Sequence, residues 1–173
     1  LQDLPKNIEG VDAIETQIID DGSSDRTVEV ARRLGVNHIV RFTQNRGLAQ
    51  AFKAGVDNAL RQGADILVNT DGDNQYCGKD IPKLVKPILE GRADLVIGNR
   101  PIWNHQEFTF SKKILQTFGS SFLRFFSKTK VKDAASGFRA YGLNAMLKLN
   151  IHTQFSYCME TLVQLGLNNL RVE

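Results

Sequence analysis

Four short apolar runs, separated by stretches with helical periodicity, limit what this chain can fold into more than any other feature of its sequence. The runs consist of β-branched and aliphatic residues and lie at positions 14–19, 38–42, 66–70 and 94–98. Runs of this length and composition predict β-strands. Positions 47–62 and 80–90 repeat apolar side chains at the spacing of one helix face, which is typical of helices that pack on a sheet. The alternation predicts an α/β fold, with a mostly parallel sheet and helices on both faces.

The helix predicted at positions 80–90 carries its own start and stop signals. Asp80 can cap its first turn, where Pro82 is also tolerated. Pro87 removes an internal hydrogen bond, so we expect it to kink or end the helix.

Composition restricts the class of protein. The chain has 173 residues and a net charge of +3, which predicts one globular domain and gives no support to nucleic-acid binding. Cys77 and Cys158 are the only cysteines, and their spacing is neither that of a metal site nor that of a disulfide-rich protein, so a reduced intracellular setting is favoured. The sequence contains no run of about 20 apolar residues, so we expect no membrane span within it.

An acidic motif follows the third apolar run. Asp71-Gly72-Asp73 comes directly after this run and is itself followed by Asn74-Gln75-Tyr76. On an extended backbone, carboxylates two residues apart project to the same side, where they can bind one hard divalent cation and the diphosphate it carries. Asp-Gly is also ordinary turn chemistry, so a solvated turn is the alternative.

A second acidic motif, Asp20-Asp21-Gly22-Ser23-Ser24-Asp25, follows the first apolar run. Ligands of open α/β sheets bind beyond the carboxyl ends of the strands, so two carboxylate clusters at strand ends predict one shared site. Asp25 is better explained as a cap of the following helix than as a ligand.

The last third of the chain is more aromatic and more basic. Six of the ten phenylalanines lie at positions 108–126, and no acidic residue occurs between Glu107 and Asp133. An amphipathic helix of this composition can lie on an anionic membrane surface. The alternative is a helix whose phenylalanines fill the core of the domain itself.

Five short motifs, taken in order, resemble those of the family 2 glycosyltransferases. They are Asp20-Asp21-Gly22-Ser23-Ser24-Asp25, Asn45-Arg46-Gly47, Asp71-Gly72-Asp73-Asn74-Gln75, Gly98-Asn99-Arg100 and Ser136-Gly137-Phe138-Arg139. The D-x-D-x-Q and S-G-F-R strings are similar, more narrowly, to the branch of dolichyl-phosphate mannosyltransferases and polyprenyl-phosphate glycosyltransferases. The common order and sheet context make the resemblance specific.

The resemblance implies a GT-A, Rossmann-like fold that uses a nucleotide-sugar donor, either a UDP-sugar or a GDP-sugar. Asp20 or Asp21 would bind the nucleobase and ribose, because a buried carboxylate rejects ligands that cannot donate hydrogen bonds to it. Asn45 and Arg46 would lie near the base or the diphosphate, although this motif can also simply turn the chain into its helix.

The resemblance also implies a metal cofactor. Asp71, Asp73 and Gln75 would hold Mg²⁺ or Mn²⁺ directly or through water, and the cation would offset the charge that develops on the leaving nucleoside diphosphate. Asp73 is the residue to which the resemblance points most strongly.

The acceptor follows from chemistry as well as from the resemblance. A phosphate monoester carries about −1.5 to −2 charge near neutral pH, so it can attack without a general base but needs cations to bind it. Arg100 and Arg139 are the candidates, since arginine offers phosphate a planar fork, and Lys112 or Lys113 are further ones. Ser136 would add a hydrogen bond or only shape the turn that follows it.

Together these features predict a metal-dependent, inverting glycosyltransferase that moves a sugar to a polyprenyl phosphate, either dolichyl or undecaprenyl phosphate. We expect it at the cytoplasmic face of a membrane, peripheral or anchored by segments outside this chain. A processive polysaccharide synthase is disfavoured, because the sequence lacks a Q-x-x-R-W motif.

Three other functions stay open on the sequence alone. They are transfer to a saccharide or protein hydroxyl, a receiver-like phosphorylation switch, and a non-catalytic nucleotide-binding module. Glu160 resembles a family position near the site, but a glutamate on a helix surface explains it equally well.

The two ends of the chain differ from the family pattern. The family opens with a strand beside the nucleotide, whereas this chain begins at Leu1-Gln2-Asp3-Leu4-Pro5, within what resembles the helix that follows that strand. We therefore expect residues 1–173 to form a single catalytic domain that is incomplete at both ends and lacks the first strand.

Overall fold

The computed structural model describes residue 1 and residues 3–73, 75–99, 133–153 and 157–173. Arg100 lies outside the described residues, as do Lys112, Lys113 and the aromatic, basic segment at positions 108–126. The predictions made for them stay predictions.

All four apolar runs form β-strands, as the sequence predicts, and a fifth strand follows them. The strands are β1 (Gln17–Asp20), β2 (His38–Arg41), β3 (Ile66–Asn69), β4 (Leu95–Ile97) and β5 (Arg139–Gly142). The described helices are α1 (Thr27–Arg33), α2 (Leu48–Arg61), α3 (Ile81–Leu89), α4 (Leu143–Lys148) and α5 (Tyr157–Leu167).

The start of α3 differs in one detail from the sequence prediction. Asp80 occupies the N-cap position, but its side chain makes no capping hydrogen bond and instead accepts one from Lys83 Nζ at 2.6 Å. Pro82 lies in the first turn, as expected, and Pro87 lies two residues before the helix ends.

The described strands form two sheets. In one, β1 pairs with β2 in parallel. In the other, β5 lies between β3 and β4 and runs antiparallel to both, so β3 and β4 are parallel to each other. The predicted parallel direction therefore holds for β1 with β2 and for β3 with β4, but the pairing within the second sheet is antiparallel because of β5.

Helices cover both faces of the second sheet, as predicted. On one face, Leu95 and Tyr141 contribute to a core with Phe52 of α2 and with α4 and α5. On the other face, Val96 and Ala140 pack with residues of α3. Neighbouring residues of one strand point to opposite faces, which is why Leu95 and Val96 enter different cores.

Helix α2 joins the two sheets. Its Gly55 lies so close to β1 that an added Cβ would be 3.3 Å from Ile19 Cγ1. Gln17 of β1 donates a hydrogen bond to the Gly55 carbonyl at 3.0 Å and accepts one from Asn58 Nδ2 at 2.9 Å. The same helix buries Phe52 against the second sheet, so its position fixes both sheets relative to each other.

Candidate functional site

Asp20 ends β1 and is buried, with 2% of its surface exposed. Its Oδ1 accepts a hydrogen bond from the Ser23 N–H at 2.9 Å. Arg41 Nε lies 3.0 Å from Oδ2, near enough for an ion pair, although Oδ2 accepts no well-directed hydrogen bond. The hydroxyl and N–H of Ser23 lower the pKa of Asp20, and the charge of Arg41 adds to this effect while burial opposes it. Asp20 is therefore held as a carboxylate.

Asp21 connects two loops that lie far apart in the sequence. Its carboxylate accepts hydrogen bonds from the N–H groups of Arg46 at 2.7 Å and Gly47 at 2.9 Å, just before α2 begins. Gly22 has a φ of +82°, and an added Cβ would lie 2.6 Å from the Gln44 carbonyl carbon, so the two loops touch here. The Asp20-Asp21-Gly22 motif and the Asn45-Arg46-Gly47 motif are therefore in contact.

Asp25 was predicted to cap the following helix, but the N-cap position is Arg26, and Asp25, one residue earlier, bonds the first residue of α1. Its Oδ1 accepts hydrogen bonds from the Thr27 N–H at 3.0 Å and from the Thr27 hydroxyl at 2.5 Å. These bonds lower the pKa of the Asp25 carboxyl. The bonds to Thr27 account for the Asp25 carboxylate, so no ligand is needed to explain this residue.

Asn45 and Arg46 are exposed, beside the buried end of β1. The Arg46 guanidinium carbon lies 5.1 Å from the centroid of the Phe42 ring, within the range of a cation–π contact. The backbone of this motif turns the chain into α2, and its side chains stay at the surface.

Asp71 and Asp73 are both exposed beyond the carboxyl end of β3. The backbone at Gly72 and Asp73 is a turn, so the prediction that an extended backbone brings both carboxylates to one side is wrong in that detail. Asp73 Oδ1 accepts a hydrogen bond from the Gln75 N–H at 3.1 Å, which stabilises the turn. Turn formation and ligand binding are compatible here, because a carboxylate has further lone pairs.

Gly137 lies directly against the Asp71 carboxylate. A Cβ added at Gly137 would be 3.0 Å from Asp71 Oδ2 and 3.1 Å from Oδ1. Asn69 Nδ2 donates hydrogen bonds to the Gly137 carbonyl and to the Tyr157 hydroxyl, both at 2.9 Å. The Gly137 N–H donates to the Tyr76 hydroxyl at 3.3 Å. The structure therefore joins the D-x-D-x-Q and S-G-F-R motifs.

Arg139 is fully buried, so a direct contact between its guanidinium and an acceptor phosphate is at odds with the structure. The side chain donates hydrogen bonds to the carbonyls of Ser136, Ala134 and Cys158 and to the Thr161 hydroxyl, at 2.7 to 2.9 Å. These contacts occupy the guanidinium N–H groups that were predicted to bind the acceptor phosphate.

Ser136 is buried as well, and its hydroxyl accepts a hydrogen bond from the Phe138 N–H at 3.3 Å. Of the two roles considered for Ser136, the structure supports shaping the turn.

Tyr157 and Glu160 occupy the first turns of α5. The Tyr157 ring stacks on Phe52 with centroids 3.9 Å apart. Burial raises the pKa of the Tyr157 phenol, and nearby acidic groups, Asp71 among them, add to this shift. Glu160 accepts hydrogen bonds from the N–H groups of His152 at 2.9 Å and Thr153 at 3.1 Å, so it holds a loop in place.

The residues around Asp71 fit a hard divalent cation. No cluster of three or more His, Cys, Asp or Glu side chains suited to a metal occurs within the described ranges. A magnesium-type ion does not need one, because it is usually bound by one or two carboxylates together with substrate phosphates and water. Asp71 and Asp73 are exposed and two residues apart, which makes them the candidates for oxygen ligands of this kind.

Sequence reasoning missed Asn69, Tyr76, Tyr157 and Arg41. Tyr76 directly follows the acidic motif, and Asn69 is a polar residue at the end of an apolar strand, which were the available signals. For Tyr157 and Arg41 the sequence offers no comparable signal, because their partners are distant along the chain.

The sequence model described as "Glycosyl transferase family 2" matches residues 6–149. The chain is 30% identical to UDP-N-acetylglucosamine–dolichyl-phosphate N-acetylglucosaminyltransferase of Methanococcus voltae, over 90% of this chain and 70% of that protein. It is 29% identical to polyprenol monophosphomannose synthase of Mycolicibacterium smegmatis, over 83% of this chain and 57% of that protein.

A solved structure of glucosyl-3-phosphoglycerate synthase from Mycobacterium tuberculosis, in complex with Mn²⁺, UDP and glucosyl-3-phosphoglycerate, has a similar fold. The TM-score is 0.69 at 21% identity, over 94% of this chain and 60% of that one. This similarity confirms the predicted GT-A fold class. The chain spans a little over half the length of the first curated relatives it matches, 55% and 57%.

Proposed function

We propose that this chain, which belongs to glycosyl transferase family 2, transfers a sugar from a nucleotide diphosphate to a polyprenyl phosphate. Its relatives in Methanococcus voltae and Mycolicibacterium smegmatis are named for transfer to dolichyl phosphate and for the synthesis of polyprenol monophosphomannose. The observation that carries the proposal is the exposed pair Asp71 and Asp73 beyond β3, with the S-G-F-R motif packed against Asp71. With a divalent cation bound between them, this pair can receive the diphosphate end of a donor.

On the donor side, we assign the nucleoside to the loops that Asp21 connects. Of the two aspartates predicted to bind the nucleoside, Asp21 is partly exposed, whereas Asp20 is buried with its Oδ2 beside Arg41, so we assign the contact with the base or ribose to Asp21. Asn45 and Arg46 are exposed beside it and can contact the base or the diphosphate. A UDP-sugar or a GDP-sugar meets these requirements.

The proposed metal ligands are the exposed residues beyond β3. Asp71 and Asp73 would hold Mg²⁺ or Mn²⁺, with Gln75 as a further ligand, directly or through water. The related synthase from Mycobacterium tuberculosis was solved with Mn²⁺ and UDP. When bound, the cation would offset the charge that develops on the departing diphosphate.

In the proposed reaction, an oxygen of the lipid phosphate attacks the anomeric carbon of the donor sugar. A new carbon–oxygen bond forms while the bond from that carbon to the diphosphate breaks, so the nucleoside diphosphate leaves and the anomeric configuration inverts. The dianionic phosphate needs no general base, because it has no proton to lose. Arg100 stays our candidate for binding this phosphate. Arg139 and Ser136 are buried, and their hydrogen bonds stabilise the loop before β5 instead.

The proposed lipid acceptor puts the reaction at a membrane surface, and we propose the cytoplasmic face, as the sequence predicts. Within the described parts of the chain, no helix is long and apolar enough to cross a membrane. The basic, aromatic segment at positions 108–126 is our candidate for contact with the lipid surface.

The test is a matrix of donors and acceptors. The protein is incubated with Mn²⁺, each of several UDP- and GDP-sugars, and either undecaprenyl or dolichyl phosphate, while released nucleotide and lipid-linked sugar are measured. We expect one donor to release nucleotide in proportion to lipid phosphate, and the double variant Asp71→Asn/Asp73→Asn to abolish this release.

Other outcomes would overturn the proposal. Transfer to free saccharides or to a protein hydroxyl, without lipid phosphate, would favour the corresponding transferase. Nucleotide binding with no turnover under any condition would favour a binding module.

A further inference from the structure

We infer that Arg139 is a positioning residue, which holds the loop at residues 134–138 so that Gly137 forms a wall against the Asp71 carboxylate. The inference rests on the proposed function, because it describes how the cation and diphosphate site is kept in shape. It gives the buried arginine a role that does not require contact with substrate.

The first observation is the set of bonds that Arg139 makes. Nε donates to the Ser136 carbonyl and Nη2 to the Ala134 carbonyl, both at 2.7 Å, so one guanidinium holds both ends of a tight turn. Nη1 donates to the Cys158 carbonyl at 2.9 Å and to the Thr161 hydroxyl at 2.8 Å, which attaches this turn to α5. A planar fork with fixed donors can make these bonds together, whereas a lysine ammonium cannot.

The second observation is how tightly the loop packs beyond Arg139. The Phe138 carbonyl accepts a hydrogen bond from the Gly98 N–H at 2.8 Å. The Phe138 ring stacks on Tyr76, with centroids 5.0 Å apart. Tyr76 and Asn69 also bond the N–H and carbonyl of Gly137, so the loop is held on both sides.

The third observation is the distance between Gly137 and Asp71. A Cβ at residue 137 would be 3.0 and 3.1 Å from the two carboxylate oxygens and 3.4 Å from Cγ. Both oxygens lie nearer to this position than Cγ does, so the oxygen edge of the carboxylate faces Gly137, and an added methyl group has to displace it by a few tenths of an ångström. Groups that orient a metal ligand commonly change metal affinity by about 10- to 100-fold when they are altered.

The sharpest test is Gly137→Ala, since it leaves Arg139 and its hydrogen bonds intact. Gly72→Ala is the matched control, because a Cβ at Gly72 would meet no atom of the described residues within 4 Å. We expect Gly137→Ala to weaken Mn²⁺ binding in the presence of UDP or GDP by roughly tenfold or more. The control should stay within about twofold of the parent.

The second readout does not require a metal. Carboxylate carbon NMR, with Asp71 assigned through Asp71→Asn, follows the chemical shift of this group at one pH in the absence of ligand. We expect the Asp71 resonance to move in Gly137→Ala and in Arg139→Lys, while the Asp25 resonance stays in place.

The outcomes separate this inference from the proposed function. An unchanged Asp71 resonance in folded Gly137→Ala would overturn the positioning role, whatever the metal does. A parent protein that fails to bind Mn²⁺ with either nucleotide would overturn the proposed function, and the NMR comparison would still decide the role of Gly137. If Arg139→Lys does not fold, the role of Arg139 rests on Thr161→Val, which removes one acceptor and should shift the Asp71 resonance in the same direction.

Discussion

At the scale of single residues, aspartates that look alike in the sequence have different surroundings. Asp21 and Asp25 accept hydrogen bonds from backbone N–H groups, Asp21 from the loop before α2 and Asp25 from the first residue of α1. Asp71 and Asp73 are exposed, and the recorded bond of Asp73 is to its own turn. Residue type alone therefore does not separate carboxylates that hold the fold from those that can bind a ligand, and exposure separates Asp71 and Asp73 from the buried Asp20 but not from the exposed Asp25.

Two substitutions of Asp73 separate its turn from its proposed ligand. Asp73→Asn keeps an oxygen that can accept the Gln75 N–H but removes the charge, so the melting temperature should stay close to that of the parent. Calorimetry with UDP and GDP should find Mn²⁺-dependent affinity weakened by about 1 to 3 kcal/mol, the scale of a charge-assisted contact. Asp73→Ala should show the same loss of Mn²⁺-dependent nucleotide affinity. It should also melt at a lower temperature, because it cannot accept the hydrogen bond from the Gln75 N–H.

Equal nucleotide affinities for the parent and Asp73→Asn, with Mn²⁺ present, would remove Asp73 from the metal site. A loss that is the same with and without Mn²⁺ would assign Asp73 to the nucleotide instead.

At the scale of elements, helix α2 is central to the fold because it packs on both sheets. It packs on β1 through Gly55 and on the second sheet through Phe52. The Phe52 ring stacks on Tyr157 of α5 and lies tilted against Tyr141 of β5, with centroids 5.5 Å apart. One side chain therefore joins three elements.

We expect Phe52→Ala to lower the free energy of unfolding by about 3 to 5 kcal/mol, because it leaves a cavity among buried rings. Leu48→Ala in the same helix is the control, since Leu48 is 56% exposed, and it should change stability by no more than about 0.5 kcal/mol. Urea denaturation measures both. Similar effects of the two variants would mean that α2 does not hold the sheets together through Phe52.

At the scale of the whole molecule, the last residues of the chain pack on a distant strand. Val172 pairs in parallel with Leu95, and the Arg171 carbonyl accepts hydrogen bonds from the Asp94 and Leu95 N–H groups. Asp94 Oδ2 accepts bonds from the Arg171 N–H at 2.9 Å and from its Nε at 3.0 Å. The hydrogen bonds from Arg171 lower the pKa of Asp94, although burial acts in the opposite direction.

This ion pair makes part of the stability depend on pH. Because the pKa of Asp94 is lower in the folded protein than in the unfolded chain, the pair stabilises the fold above the ordinary aspartate value of about 4. That stabilisation is lost as the pH falls through the lowered pKa. We expect Asp94→Asn to melt below the parent at pH 7, and the difference to shrink when the pH is taken below about 4.

Melting curves of both proteins across this pH range provide the measurement. A difference in melting temperature that does not depend on pH would mean that Asp94 acts through packing or neutral hydrogen bonds rather than through its charge.

The sequence by itself determined the alternation of strands and helices, and the structure confirms β1 to β4 and the helices α2 and α3 near their predicted bounds. It also determined the membership in the family, through five ordered motifs. Both are local properties, since apolar periodicity and short motifs depend on residues that are close together in the chain.

Only the tertiary structure decided that β5 lies between β3 and β4, that the guanidinium of Arg139 is buried, and that Gly137 touches Asp71. An exposed arginine and a buried one have the same sequence signal, because burial depends on which distant carbonyls the fold brings within hydrogen-bonding distance. Those of Arg139 come from the loop before β5 and from α5. A charged side chain can be buried when its donors are satisfied in this way, and packing between distant segments is what satisfies them.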